Sequence, residues 1–261
     1  MFTANPFAEL SASVSPVIMQ VYVAVMIVLV AGGTLLDMMH KKSARYFFDN
    51  WRRVRSKGRP IRGSEAISLA VQTAALDVAT SAEFCNQQRR VAHLLGMYGF
   101  LLYVITTAIM VFAYPTPANA GPVFLATLWY VGALMICIGG YWFWFFIRVD
   151  VAAEGNAPFR FVRADLFVAS LVASATLGLI WAWLQNAGSA TAADAFLGLY
   201  LIATTVLFVS VPWSKFSHMF YKPAAAWQKR IEQANGTRRS LPAPANAPAT
   251  FGSGRRPPRN Y

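Results

Sequence analysis

The sequence predicts an all-α integral membrane protein, a bundle of five transmembrane helices, and three observations carry that expectation. Hydrophobic residues make up 56% of the 261-residue chain and charged ones only 13%, with a mean hydropathy of +0.43, well outside the composition of a soluble domain. Five stretches are apolar over the roughly 20 residues that a helix needs to cross about 30 Å of hydrocarbon. All 23 Lys and Arg fall between or after those stretches, in three segments only.

The elements follow in order. Residues 1–16 contain no Lys or Arg, lack the basic start of a cleaved signal peptide, and read as an outer-face leader. The membrane domain is expected over 17–222. Its first span runs from Val17 to Met39 and carries Asp37 near its end, with Lys41 one turn on to pair with it. A basic loop at 40–92 follows, in which Ser64 to Arg89 is helix-permissive behind the cap Gly63-Ser64-Glu65; this helix is expected to lie along the membrane or against a partner. The second span, His93 to Tyr114, is joined to the third, Val123 to Ile147, by a turn at Pro115 to Pro122. The third ends in Tyr141, Trp142, Phe143, Trp144, Phe145 and Phe146, rings that favour the headgroup boundary. In the fourth span, Ala164 to Trp183, Ser170, Ser174 and Gly178 recur at four-residue spacing, a face on which helices approach closely. A turn at Asn186 to Ala193 leads to the fifth, Ala195 to Val211. Residues 223–261 form a basic tail that composition leaves mostly disordered.

Charge sets the orientation. Lys41 to Arg90 holds eleven basic residues, Arg148 to Arg163 three and Lys215 to Arg259 nine, while the turns after the second and fourth spans hold none. The positive-inside rule then places the N-terminus out and the C-terminus in the cytoplasm, the arrangement of a multi-pass protein of a bacterial-type inner membrane.

The net charge of +12 does not point to nucleic acid, because the basic residues form no stripe on a folded domain. Cys85 and Cys137 lie far apart without a CxxC spacing, so a cysteine-ligated cluster would belong to a partner. No Gly-rich phosphate loop, HExxH or Gly-x-Ser-x-Gly elbow is present, and no residue is assigned as catalytic. The histidines are His40, His93 and His218, all at the cytoplasmic ends of helices. If the second and fifth spans are neighbours, His93 and His218 face each other at one depth, and two imidazoles there would ligate the iron of a b-type haem, its propionates toward Arg89, Arg90 and Lys215. His40 is a candidate neighbour of a quinone in the same half.

The runs Gln88-Arg89-Arg90-Val91-Ala92-His93-Leu94-Leu95-Gly96-Met97-Tyr98-Gly99-Phe100 and Val211-Pro212-Trp213-Ser214-Lys215-Phe216-Ser217-His218-Met219-Phe220 resemble the membrane cytochrome b family. That family includes the gamma subunit of respiratory nitrate reductase and the membrane subunits of quinone-interacting oxidoreductase complexes, and the likeness is closest to the adenylylsulfate reductase membrane anchor. It covers all five spans and leaves out the tail and much of the first loop. The resemblance implies electron transfer between membrane quinone and a cytoplasmic iron-sulfur flavoprotein, often through two haems. His93 and His218 match the ligand pair of the haem nearest the cytoplasm. Where the second pair would stand, this chain has Tyr103 and Tyr200, roughly 15 Å and 27 Å along their helices from the histidines.

The function expected is therefore that of a membrane anchor and electron-transfer subunit, carrying at most one haem b, for a redox enzyme of sulfur metabolism. A haem-free scaffold for that enzyme is one alternative and a small-molecule transporter another.

Overall fold

The computed structural model describes residues 3–238 and 241 apart from 41, 83, 85, 149–159, 163–164 and 214–217, and leaves the side chains of Ser43 and His218 undescribed. Among these residues every regular element is a helix: α1 (Pro6–Leu10), α2 (Pro16–His40), α3 (Ser43–Ser56), α4 (Gly63–Gln72, continued by a π-helical segment over Thr73–Ala79), α5 (Gln87–Ala113), α6 (Val123–Trp142, continued by a π-helical segment over Phe143–Ile147), α7 (Leu166–Asn186), α8 (Ala190–Val209) and α9 (His218–Asn235). Five of them, α2, α5, α6 with its extension, α7 and α8, are long and apolar enough to cross a membrane. The chain is thus an all-α, multi-pass membrane protein.

It divides into two compact units, Met1–Asp37 with Val91–Ser217 and Met38–Arg90 with His218–Tyr261. The first is the helix bundle. Apolar side chains gain little by leaving lipid for another helix, so association rests on close packing and buried polar contacts. Between α5 and α6 the backbones touch. A Cβ added at Gly132 would lie 2.8 Å from Tyr103 N and 2.9 Å from Gly99 O, and one at Gly139 would lie 2.8 Å from Ala92 O. Between α7 and α8, the Ser174 and Thr204 hydroxyls share a hydrogen bond of 2.8 Å. The Ser170, Ser174, Gly178 face is buried, as its spacing predicts. Helix α2 is tied on by Tyr22, whose hydroxyl donates to Leu201 O at 3.0 Å, and by Gln20, whose amide donates to Val111 O at 3.2 Å.

Several boundaries differ from those the hydropathy predicts, each for a local reason. Helix α5 starts at Gln87, six residues before the apolar run, because Asn86 Oδ1 accepts from the amides of Gln88 and Arg89 at 2.9 and 3.2 Å, which serves as a cap. The turn after the fourth span shrinks to 187–189, with Gly188 at φ +75° reversing the chain before α8. The helix expected over Ser64 to Arg89 is interrupted after Ala79. Its Glu65 accepts from the backbone amide of Arg62, the residue before the helix, and also pairs with Arg59. The leader folds: Asn5 caps α1 and its side-chain amide donates to Tyr114 O and Ala120 O at 2.9 and 3.1 Å, so that Phe7, Ala8 and Leu10 are buried in the bundle.

The second unit gathers the first loop and the C-terminal helix. Phe47, Trp51 and Val54 line the covered face of α3, where Trp51 meets Trp227 of α9 at 4.8 Å between rings and Asn235 Nδ2 donates to Val54 O at 3.1 Å. Trp227 Nε1 donates in turn to Ala66 O of α4 at 3.2 Å. Arg230 clamps Asp77 with two bonds of 2.6 and 3.0 Å, a bidentate geometry that holds its guanidinium pKa above the ordinary value. The sequence boundary at 222 thus falls inside α9, and residues 223–235 are helix.

Candidate functional site

Helix α5 carries His93 six residues into its length, half-buried, with Arg89 and Arg90 also half-buried on the preceding turn. Arg90 Nε donates to Thr80 O at 2.7 Å, which ties the start of the helix back to the first loop. One turn beyond His93 stands Gly96, where an added Cβ would meet no heavy atom within 4 Å. Three residues on, Gly99 is in backbone contact with α6: a Cβ there would lie 2.8 Å from Gly132 O. So the stretch from Ala92 to Gly99 is pinned to α6 on one side and open beside Gly96 on another.

His218 is the first residue of α9, with its side chain outside the described residues, and Lys215 lies outside them altogether. His93 belongs to the bundle and His218 to the second unit. His40 is exposed at the end of α2. Asp37 is buried at 1% exposure, and its expected partner Lys41 lies outside the described residues. The third-span aromatic run ends in the π-helical segment, where Trp144 receives the Arg148 guanidinium at 4.4 Å from its ring centre while Phe145 and Phe146 stay exposed, a disposition suited to the headgroup boundary. Arg148 also pairs with Asp165.

The tyrosines at the second-haem positions are both buried, and what surrounds them decides what that half of the bundle can hold. Tyr103 stacks on Trp129 at 5.1 Å and Tyr200 on Trp181 at 5.7 Å. Phe7, brought in by α1, closes over both indoles at 5.8 and 5.4 Å. Trp129 is 0% exposed and donates its Nε1–H to Thr107 Oγ1 at 2.9 Å. The Tyr103 hydroxyl points at Gly178, where a Cβ would come within 2.6 Å of it; it lies near Tyr200 and Ser174 without a hydrogen bond of good geometry to either. Two phenols inside a packed aromatic cluster offer neither nitrogen ligands nor room for a macrocycle, so a second haem does not fit there.

At the His93 level the described residues show one half-buried imidazole, on α5, and open space where a Cβ at Gly96 would stand. Among the described residues no three His, Cys, Asp or Glu side chains converge on a common centre, and a bis-imidazole haem calls for two ligands only. The aromatic cluster was not legible in advance. Trp129 and Trp181 sit inside apolar runs, and only the fold brings them to one place with Phe7.

In comparison with known proteins, a family model described as CitB, citrate utilization protein B, aligns with residues 6–239. No curated protein and no solved structure matches the chain.

Proposed function

The chain belongs to the citrate utilization protein B family, and from that premise we propose that it is the membrane electron-transfer subunit of a tricarboxylate-oxidising or tricarboxylate-reducing system. In this reading His93 and His218 hold one haem b, with Arg89, Arg90 and Lys215 toward its propionates, and electrons pass between a soluble flavin or iron-sulfur enzyme and membrane quinone. The haem, when bound, supplies a one-electron relay between a carrier of two electrons and the quinone. The chain's own residues position and insulate it. The N-terminus faces outward and the basic loop and tail face the cytoplasm, where the loop beyond α3 and the tail dock the partner by charge.

The observation that carries this reading is the asymmetry along α5: an imidazole beside an open glycine at one level, and a sealed aromatic cluster roughly 15 Å further along. Such a bundle has one redox level, on the side that the charge distribution assigns to the cytoplasm. The cytochrome b resemblance of the two histidine motifs supports the electron-transfer half of the proposal. The family description supports a tricarboxylate as the partner's substrate class, in place of the sulfur compounds that the resemblance implies. Direct transport of citrate is disfavoured on physical grounds. A trianion crossing the bilayer needs buried cations, and among the described residues of the five spans Lys and Arg occur only as Arg89 and Arg90 at the start of α5.

The test is a reduced-minus-oxidised visible spectrum of the purified chain, with haem quantified per polypeptide, beside His93→Ala and His218→Ala. A b-type signal at about one haem per chain is expected, lost in each variant. Purified, folded protein with no haem would reduce the subunit to a scaffold, and signal surviving both substitutions would overturn the ligand assignment.

A further inference from the structure

Helix α3 is amphipathic, and its covered face is accounted for by α9 through Trp51 and Val54. The opposite face is exposed and has an unusual make-up. It presents Arg45, Arg52, Arg53 and Arg55 together with two aromatic rings, Tyr46 at 74% and Phe48 at 56% exposure. Asp49 is the one carboxylate among them, 3.9 Å from both Arg45 and Arg52, so one negative charge stands against four positive. Arg55 also lies 5.9 Å from the Trp51 ring centre, yet the face keeps a net positive charge, and water is a poor environment for the exposed Tyr46 and Phe48 rings.

We propose that this face of α3 is a docking surface for the anionic headgroups of the bilayer. Chain connectivity fixes its depth. Only residues 41 and 42 separate the end of the spanning helix α2 from the start of α3, a reach of at most about 11 Å, so the first turn of α3 lies at headgroup level. Guanidinium groups pair there with lipid phosphates in bidentate fashion, and tyrosine and phenylalanine rings partition into the boundary between headgroups and chains. The surface lies on the second unit and includes none of the residues assigned to the haem.

The measurement places a reporter at the far end of the helix, because the near end is tethered to the membrane in any case. Ser56 is exposed and lies roughly 20 Å along α3 from its start. In the full chain carrying Cys85→Ser and Cys137→Ser, Ser56→Cys bears an environment-sensitive fluorophore, and the protein sits in nanodiscs that contain a lipid-borne quencher. Discs of phosphatidylcholine alone are compared with discs containing phosphatidylglycerol. Stronger quenching is expected in the anionic discs, relieved at high salt, where the screening length falls to a few Å. Each of Arg45→Gln, Arg52→Gln, Arg53→Gln and Arg55→Gln should shift the engaged-to-free ratio roughly fivefold. The salt arm uses the unaltered face, so it stands even if an arginine variant misfolds. A water-exposed fluorophore in both kinds of disc would overturn the proposal. So would quenching indifferent to lipid charge and salt, and so would shielding that arises only when an acidic soluble protein is added, which would make the face a protein-docking surface.

Discussion

The bundle and the second unit come from one chain and are held by different forces. In the bundle, α5 and α6 meet backbone to backbone at Gly99, Gly132 and Gly139, and the polar contacts within the spans are bonds between neutral groups, Ser174 to Thr204 and Tyr22 to Leu201, with the ion pair of Arg148 and Asp165 standing at the connection between α6 and α7. In the other unit, ion pairs join segments distant in sequence, Arg230 with Asp77 across α9 and the π-helical segment, and an indole pair, Trp51 on Trp227, forms the covered interface. The difference follows the solvent. Lipid removes the hydrophobic gain from helix association and leaves shape and short-range contacts, whereas water restores that gain and makes a charged side chain at the surface inexpensive.

The sharpest way to break the comparison is to add volume where the backbones touch. Gly132→Leu should abolish the folded bundle, because its Cβ meets Tyr103 N and Gly99 O at 2.8 and 2.9 Å, and backbone cannot swing aside. The cost is expected at about 3 kcal/mol or more. Gly63→Leu in the other unit, where a Cβ meets nothing within 4 Å, should change stability by less than about 0.5 kcal/mol. Thermal unfolding of both variants in nanodiscs checks the pair, and equal losses would refute the distinction.

Truncating one tryptophan in each unit comes next. Trp129→Ala empties the centre of the aromatic cluster and should cost about 3–5 kcal/mol. Trp227→Ala, at a half-buried site, should cost roughly half that. Hydrogen exchange followed by mass spectrometry separates them. Faster exchange after Trp227→Ala should stay within 43–79 and 218–235, while Trp129→Ala should loosen α5 to α8. Spread of the Trp227→Ala effect through the bundle would mean that the two units unfold as one.

Ion pairs give the smallest effects. Arg230→Met should lower stability of the second unit by about 1 kcal/mol, and raised salt should shrink the difference. Acid should act at Glu65, whose hydrogen bond and attraction to Arg59 hold its carboxyl pKa below the ordinary value. Because the folded pKa is the lower one, the contribution is complete above the unfolded carboxylate pKa near 4.5 and is lost as pH falls through the folded value. Glu65→Gln should therefore lower the stability of this unit slightly at neutral pH, where the pair contributes fully, and flatten its acid limb, so that variant and parent converge at low pH. An unaltered acid limb would show that the pair contributes nothing.

Much of this architecture was legible from composition. The five spans, the small-residue face of α7 and the aromatic end of α6 each announce themselves by a periodicity or a run that has one physical use in lipid. Helix ends were less legible, because Asn86 and Gly188 act through one local bond or one backbone angle. The candidate site was half legible. Two histidines within recognisable motifs point to a haem level, and tyrosines at the second level argue against another. The reason that level is closed, Phe7 wedged between Trp129 and Trp181, appears nowhere in the order of residues.

The sequence by itself determined that the chain lives in a membrane, how many times it crosses, and where its charges gather, because each of these depends on a local sum of hydropathy or charge. The tertiary structure alone decided which apolar side chains meet. It sent the leader into the bundle through the two bonds of Asn5 to the turn after α5, stacked the tyrosines on the indoles, and folded α9 back onto the first loop through Trp227 and Arg230. The contacts of α9 join residues 153 and 161 positions apart, and the energy of all of them depends on shape and mutual distance, quantities that exist only once the chain has closed on itself.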